Sequence, residues 1–128
     1  MKSFLWACTW VCTASALALG CGSSSSSNNS GCTSANATAV TAASIVSLRS
    51  PMTFSPTCMS TAAGTTLTFR NDDSATHTVT DLDHPTPAFD SGNLAFKDTF
   101  LHAFATAGTY RVYCTIHGQQ MQATIVVQ

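Results

Sequence analysis

Short stretches rich in Thr, Val and Ala, separated by turn residues, occupy the chain from residue 35 to its end at residue 128. Residues 65–70 (TTLTFR) place Leu67 and Phe69 on one face, and residues 98–106 alternate in the same way. Such alternation is typical of half-buried strands, and no segment has a convincing helical period. The pattern predicts an all-β domain, an antiparallel β-sandwich of about seven or eight short strands.

Other strands are predicted from composition and from the turns between them. Residues 39–48 are predicted to form one or two strands, residues 77–80 and 109–114 one strand each, and residues 123–127 a final hydrophobic strand. The segment NDDS at 71–74 is typical of a turn.

The N-terminus has the layout of a secretory signal peptide, with Lys2 before an apolar stretch that ends in small residues. Cleavage before Cys21 fits an ordinary signal, and ALGC at 18–21 also resembles a bacterial lipobox, in which the cysteine becomes the lipidated N-terminus. The Ser- and Asn-rich residues that follow behave as a flexible tether. We therefore expect a signal peptide at 1–20, a lipid-attachment cysteine and tether at 21–34, and a domain at 35–128 in the periplasm or at the cell surface. A secreted form and an uncleaved anchor are the alternatives.

The charge balance excludes two classes of function. Five Lys and Arg residues oppose six acidic residues, which gives a formal net charge of −1. No basic stripe is available to neutralise phosphates, so a nucleic-acid partner is not expected. All six acids are Asp and form no long run, which excludes an acidic tail.

Six cysteines are present, and the first two leave with the signal peptide. If Cys21 carries lipid and Cys114 binds a metal, Cys32 and Cys58 remain in an oxidising compartment. A disulfide between them would close a loop of about 26 residues and contribute about 3–4 kcal/mol on the chain-entropy account. The alternative is two unpaired thiols.

The segment CTIHGQQM at 114–121 concentrates metal-binding side chains. It places Cys114, His117 and Met121 within eight residues, and His77 lies 37 residues before Cys114. A thiolate, two imidazoles and a weak thioether are the donors of a blue-copper electron-transfer site, because sulfur favours Cu(I) and imidazole serves both oxidation states. Zinc sites use Cys, His and carboxylate ligands but not a thioether, so the methionine favours copper over zinc. No acid or base stands beside these donors in a pattern that suggests hydrolysis.

Four segments give the chain a resemblance to a known family. They are FRNDDSATHTV (69–79), FDSGNLAFKDTF (89–100), AGTYRVYCTIH (107–117) and MQATIVV (121–127). In this order they make residues 36–128 similar to a plastocyanin/amicyanin-type cupredoxin. The resemblance implies a Greek-key β-sandwich or barrel with one type 1 copper, bound by His77, Cys114, His117 and Met121.

Two positions depart from the family pattern. The spacing Cys-x2-His-x3-Met has one residue fewer before Met than plastocyanins and one more than amicyanins. Those alternative spacings fall on Gln122 and Gln120, and glutamine is itself an axial ligand in some blue-copper sites. We select Met121 because the strand ATIVV begins at the expected distance after it. Thr78 follows His77 where plastocyanins commonly have Asn, so the hydrogen bonding that tunes the potential is expected to differ.

The other histidines and methionines are given structural roles. His102 shares a face with Phe100 and Phe104 and is expected to be a hydrogen-bonded barrel histidine. His84, before a proline in a loop, is expected to be solvated. Met52 and Met59 are expected to pack in the core or at an edge.

The resemblance also implies a route for electrons. In this family the loop histidine lies in an apolar patch, which makes His117 the short path, and Tyr113 matches a position that plastocyanins expose beside an acidic patch. Asp81 and Asp83 fall where that patch would be. Two acids make a weak patch, so strong steering of a basic partner is not expected.

Together these features predict a monomeric electron carrier, not an enzyme, that shuttles one electron between extracytoplasmic redox proteins and is held at the membrane through Cys21. A copper-binding or copper-delivery protein without redox traffic is the main alternative. A detached domain of a copper enzyme is the weaker one, because His84 and His102 alone do not make a second copper site.

Overall fold

The computed structural model describes residues 31–84, 86 and 88–128. The expected signal peptide at 1–20, the lipid-attachment residue Cys21 and most of the tether lie outside this part of the chain. Within it, no helix has the length and apolar character needed to cross a membrane. The strands are β1 (Thr38–Ala39), β2 (Ile45–Arg49), β3 (Thr53–Ser55), β4 (Cys58–Thr61), β5 (Thr65–Asn71), β6 (Thr80–Asp81), β7 (Thr99–Phe104), β8 (Gly108–Cys114) and β9 (Gly118–Val127).

The described strands form two sheets, which confirms the predicted all-β sandwich. One sheet has the order β1-β4-β9-β8-β6 and the other the order β3-β2-β5-β7. The described part of the chain has nine strands against the predicted seven or eight, and β3 and β4, three and four residues long, had no predicted counterpart. Segments this short leave too few alternating positions to be recognised in a sequence.

Strand direction differs from the prediction in part of both sheets. The pairs β1–β4, β2–β5 and β4–β9 are parallel, whereas β2–β3, β5–β7, β6–β8 and β8–β9 are antiparallel. Between β2 and β5 the chain passes through β3 and then through β4 in the other sheet, so β5 returns in the direction of β2. Alternating side chains look the same in either direction, which is why the sequence pattern did not reveal the parallel pairs.

The predicted strand at 77–80 is wrong in its extent. His77 forms only an isolated bridge with Leu94, and β6 begins at Thr80. Every side chain from His77 to Asp81 is buried, between 0% and 3% exposed. Both faces of this segment are therefore buried. Its sequence lacks the alternation of apolar and polar residues that marks the ends of a half-exposed strand.

The hydrophobic core fills the space between the two sheets. Its largest fully buried side chains come from both sheets: Leu48, Phe54, Leu67, Phe69 and Phe104 from one, and Met59, Val112, Met121 and Ile125 from the other. Met59 is a core residue as predicted, whereas Met52 is 39% exposed in the β2–β3 turn. Cys114 belongs to this core, and His77 is fully buried as well.

A disulfide joins Cys32 to Cys58, with the two Cα atoms 5.5 Å apart. This pairing agrees with the prediction. It ties the segment before β1 to the first residue of β4, and a turn in which Asn36 Oδ1 accepts a hydrogen bond from the Thr33 amide lies between Cys32 and β1. The start of the domain is thus fastened to the larger sheet.

Candidate metal centre

Three predicted ligands converge at the end of β8. The donor atoms of His77, Cys114 and His117 all lie within 4.8 Å of one another. Cys114 Sγ is 3.8 Å from His77 Nδ1 and 3.3 Å from His117 Nδ1. Both imidazoles therefore turn the same ring nitrogen toward the sulfur. Among the residues that the structure describes, this is the one group of three His, Cys or acidic side chains with such spacing.

The β8–β9 hairpin brings Cys114 and His117 together. The strands pair in register at Val112 with Ala123, but an irregularity after Tyr113 pairs Cys114 with Gly118. The amide of His117 donates a hydrogen bond to the Cys114 carbonyl at 3.2 Å, which closes the turn. Gly118, the residue after His117, has a φ of 61°, a conformation that residues with a side chain rarely adopt. The tight turn returns His117 to the side of the sulfur.

The hairpin register favours Met121 over the neighbouring glutamines as a fourth donor. Met121 is two residues before Ala123, which faces the interior opposite Val112, so the thioether lies on the inner face of β9. Met121 and Cys114 are both fully buried. Gln120 is exposed, and the Gln122 amide nitrogen donates to the Gln119 carbonyl at 2.8 Å on the outer face.

Thr78 makes hydrogen bonds both to the sulfur and to the ligand loop. Its amide donates to Cys114 Sγ at 3.3 Å. Its hydroxyl oxygen accepts a hydrogen bond from the Thr115 amide at 2.8 Å and lies 3.1 Å from both Thr80 Oγ1 and Thr115 Oγ1. A hydrogen bond to a thiolate sulfur draws electron density from it and so tunes a metal bound there.

His77 meets a carboxylate at its other ring nitrogen. Its Nε2 lies 3.2 Å from Asp73 Oδ2, and the imidazole is 0% exposed. An ionised carboxylate only accepts hydrogen bonds, so a proton on Nε2 would be donated to Asp73 and would leave the Nδ1 lone pair to face a metal. The hydrogen bond from His77 lowers the pKa of Asp73, against an opposing effect of burial. Our sequence reasoning assigned Asp73 only to a turn, although its position four residues before a ligand histidine was a usable signal.

The adjacent Asp72 has a different environment. Its carboxylate accepts hydrogen bonds from Arg70 at 2.8 and 2.9 Å and from Lys97 Nζ at 2.7 Å. The hydrogen bond from Arg70, followed by that from Lys97, holds the pKa of Asp72 well below its usual range. Two cations therefore balance Asp72, while Asp73 faces the metal ligand.

The side of the site near His117 is the more open one. His117 is half-buried, whereas His77 and Cys114 are fully buried, and the preceding Ile116 is 50% exposed. Tyr113 is half-buried on the opposite face of β8 from Cys114 and pairs with Thr80 and Gln122. The predicted entry route thus has an apolar side chain beside the partly exposed imidazole.

Asp81 and Asp83 do not form even the weak acidic patch that their positions in the sequence suggested. Asp81 is 2% exposed and accepts hydrogen bonds from the Ala88 amide at 2.9 Å and from His84 Nδ1 at 2.6 Å. Burial raises its pKa, but the hydrogen bonds from Ala88 and His84 outweigh this effect and lower the pKa overall. Asp83 binds the Arg111 guanidinium, with Nε at 2.6 Å. One acid is buried and the other is paired, so neither presents free negative charge.

The two remaining histidines lie outside the donor group. His102 stacks on Phe89 with ring centroids 3.8 Å apart and meets the edge of Phe104 at 4.8 Å, and burial lowers its pKa. Its ring has no hydrogen-bond partner among the described residues, so aromatic packing replaces the predicted hydrogen bond. The His84 side chain is 57% exposed, as predicted, although it also pairs with Asp81.

Comparisons with known proteins agree with this geometry. A sequence model of a family described as copper binding proteins, plastocyanin/azurin family, matches residues 40–128. No curated protein matches the sequence.

Several solved structures share the fold. A purple cupredoxin from Nitrosopumilus maritimus has a TM-score of 0.60 and 26% identity, over 66% of this chain and 99% of that one. A Cu(I) form of a mutant amicyanin has a TM-score of 0.59 and 20% identity, over 70% of this chain and 82% of that one. A copper-containing nitrite reductase from Thermus scotoductus matches with a TM-score of 0.55 and 25% identity, over 66% of this chain but only 22% of the reductase.

Proposed function

Because the chain belongs to the plastocyanin/azurin family of copper-binding proteins, we propose that it carries single electrons, with one copper bound by His77, Cys114, His117 and Met121. The supporting observation is the convergence of a thiol and two imidazoles within 4.8 Å, with a buried thioether on the same inner face. Copper held by such a donor set takes up and releases one electron between Cu(I) and Cu(II).

The protein's own residues are arranged to keep this donor set in place. Cys114 ends a seven-residue strand, and His117 is held by a hydrogen-bonded turn. His77 is fixed by backbone hydrogen bonds to Leu94 at 3.2 and 2.8 Å. A rigid, largely dry set of ligands suits electron transfer, since little has to move when the charge changes by one.

A carrier is favoured over an enzyme by what surrounds the site. A copper bound by all four donors would have no open position of the kind that catalytic metals use. Within the described part of the chain, His84 is paired with Asp81 and His102 is stacked on Phe89, so neither adds a second metal group. The similarity to the nitrite reductase covers only a fifth of that enzyme, 22% of its length.

We place the protein outside the cytoplasm. The Cys32–Cys58 disulfide is typical of oxidising compartments. The signal-like residues 1–20 and the lipobox-like Cys21 support a lipid-anchored domain in the periplasm or at the cell surface. Its partners would be an electron donor and an electron acceptor protein, and the protein would be a monomer with no nucleic-acid partner.

Partners would approach at His117. The half-buried imidazole lies beside the exposed Ile116, whereas His77, Cys114 and Met121 are fully buried. Because Asp81 is buried and Asp83 is bound to Arg111, they provide no acidic docking patch. We therefore expect association with partners to depend weakly on ionic strength.

Electron exchange at constant copper content distinguishes a carrier from a copper-delivery protein. The copper-loaded protein is cycled several times with a small inorganic reductant and oxidant in the presence of a Cu(I) chelator, and bound copper is counted after each cycle. A carrier completes the cycles at unchanged occupancy, and its electron transfer is fast on the stopped-flow timescale. Copper passing to the chelator in each reduced phase would instead identify a delivery protein.

A further inference from the structure

We propose that Asp73 is a positioning residue for the copper ligand His77, which fixes the proton on His77 Nε2 and lowers the reduction potential of the site. This inference rests on the proposed function, since it concerns the same copper. It adds a residue that lies outside the ligand set and was assigned from sequence only to a turn.

The contact is a carboxylate-to-imidazole hydrogen bond at the back of the ligand. Asp73 Oδ2 lies 3.2 Å from His77 Nε2, while His77 Nδ1 faces Cys114 Sγ at 3.8 Å. Carboxylate–histidine–metal arrangements of this kind set the tautomer and ring orientation and make the imidazole a stronger donor. A stronger donor stabilises the more highly charged metal state, here Cu(II).

Both partners of this hydrogen bond are held by one buried residue. The Asn71 side chain, 0% exposed, accepts from the Asp73 amide at 2.9 Å and donates to the Ala75 carbonyl at 2.7 Å and the Leu94 carbonyl at 2.9 Å. Leu94 in turn makes the two backbone hydrogen bonds to His77. The carboxylate and the ring therefore belong to one hydrogen-bonded unit, so their contact is not that of a freely rotating surface acid.

The charge of Asp73 is directed at the ligand. Among the described residues no cationic side chain balances Asp73, whose Oδ2 contacts the His77 ring, whereas Asp72 is balanced by Arg70 and Lys97. The Asp73 side chain is only 13% exposed and His77 is fully buried. Solvent screens such a contact less than it screens a surface pair, so the negative charge favours Cu(II) over Cu(I).

The test compares Asp73→Asn with Asp72→Asn in the full copper-loaded chain. Both variants remove one negative charge at neighbouring positions, but only Asp73 contacts a ligand. Loss of such a partner typically weakens metal binding by about 10–100-fold. If Asp73→Asn lowers the affinity for Cu(II) about tenfold and leaves that for Cu(I) nearly unchanged, the reduction potential rises by about 59 mV. Asp72→Asn should shift the potential clearly less. Equal shifts in the two variants, or no shift in Asp73→Asn, would overturn the assignment.

A second measurement reads the proton directly and does not require copper. In the copper-free protein, NMR of 15N-labelled histidine should show the His77 Nε2–H as a slowly exchanging, downfield resonance. Asp73→Ala should move it upfield or broaden it by exchange, while the backbone amide spectrum stays that of a folded protein. A resonance unchanged in Asp73→Ala would contradict the inference. Absence of a blue Cu(II) form in the unmodified protein would instead count against the proposed function.

Discussion

The axial position is the residue whose chemistry most directly sets the potential of the proposed site. A thioether is a long, weak donor that favours Cu(I), whereas the amide oxygen of glutamine is harder and favours Cu(II). Met121→Gln is therefore expected to retain copper and lower the reduction potential, by about 59 mV for each tenfold change in relative affinity. Met121→Leu, which removes the donor at similar volume, should raise it. Both potentials are measured by spectroelectrochemical titration.

Gln120→Leu is the matched control for the axial assignment. Its side chain is exposed on the outer face of β9, so its replacement should leave the potential unchanged. A shift in Gln120→Leu without one in Met121→Leu would mean that the loop after His117 is wound differently. The axial ligand would then be glutamine.

Single residues differed in how far the sequence predicted their roles. Cys114, His117 and Met121 lie within eight residues, so their spacing alone indicated a metal site. His77 was included as the second imidazole, but its distance in sequence did not show its approach to Cys114, which depends on packing across the fold and was supported by the family resemblance. Asp73 and Asp81 were misjudged because the sequence does not show whether an acid is exposed. The structure places one against a ligand and buries the other.

At the scale of secondary-structure elements, the disulfide ties the start of the domain to β4. Replacing both Cys32 and Cys58 with Ser removes the closure of a loop whose ends are 26 residues apart. On the chain-entropy account the free energy of unfolding should fall by about 3–4 kcal/mol, as measured by urea denaturation. The spectrum of the copper form should stay the same, because neither cysteine is at the metal centre. Finding both thiols freely alkylated in the native, air-exposed protein would refute the disulfide.

Asp81 in β6 stabilises the loop that follows it. Besides the Ala88 amide and His84, its carboxylate accepts from the Asp83 amide at 3.2 Å. Asp81→Asn turns one acceptor oxygen into a donor inside a buried site, which we expect to cost about 1–3 kcal/mol of unfolding free energy at pH 7. Asp83→Asn, in the same loop but in a more exposed ion pair, should cost less than about 1 kcal/mol.

Asp81→Asn also gives a prediction for the pH dependence of stability. The folded-state pKa of Asp81 is lowered, so its stabilising contribution is fully present above the unfolded pKa of about 3.9 and is lost as pH falls through the folded value. The stability difference between the native protein and Asp81→Asn should therefore be constant near neutral pH and shrink below about pH 4. Urea denaturation of the copper-free proteins measures it. A gap that widens on acidification would contradict this assignment.

Strands were predicted where alternation is long, were missed at the short β3 and β4, and had the wrong extent where both faces are buried. β5 and β7 followed from Leu67, Phe69 and the aromatic face of residues 98–106. The strand predicted at 77–80 had the wrong extent, because residues 77–81 are buried on both faces. Strand direction could not be predicted from the sequence either, since parallel and antiparallel strands have the same alternation of side chains.

At the scale of the whole molecule, family membership confirms the cupredoxin resemblance and the sandwich, while the anchoring at the membrane stays a prediction. Cys21→Ala should move the protein from the membrane fraction to the soluble fraction, because a lipid can no longer be attached there. Cell fractionation followed by immunoblotting measures the change. A Cys21→Ala protein that remains with membranes and keeps residues 1–20 would point to an uncleaved anchor.

The central claim is that Cys114, with His77, His117 and Met121, makes a type 1 copper site. Absorption and EPR spectra of the protein loaded with one equivalent of copper test it most directly. We predict an intense visible band from thiolate-to-Cu(II) charge transfer that bleaches reversibly on reduction. The band should be lost in Cys114→Ser and retained in His102→Ala. A colourless Cu(II) protein, or a band that survives in Cys114→Ser, would contradict the account.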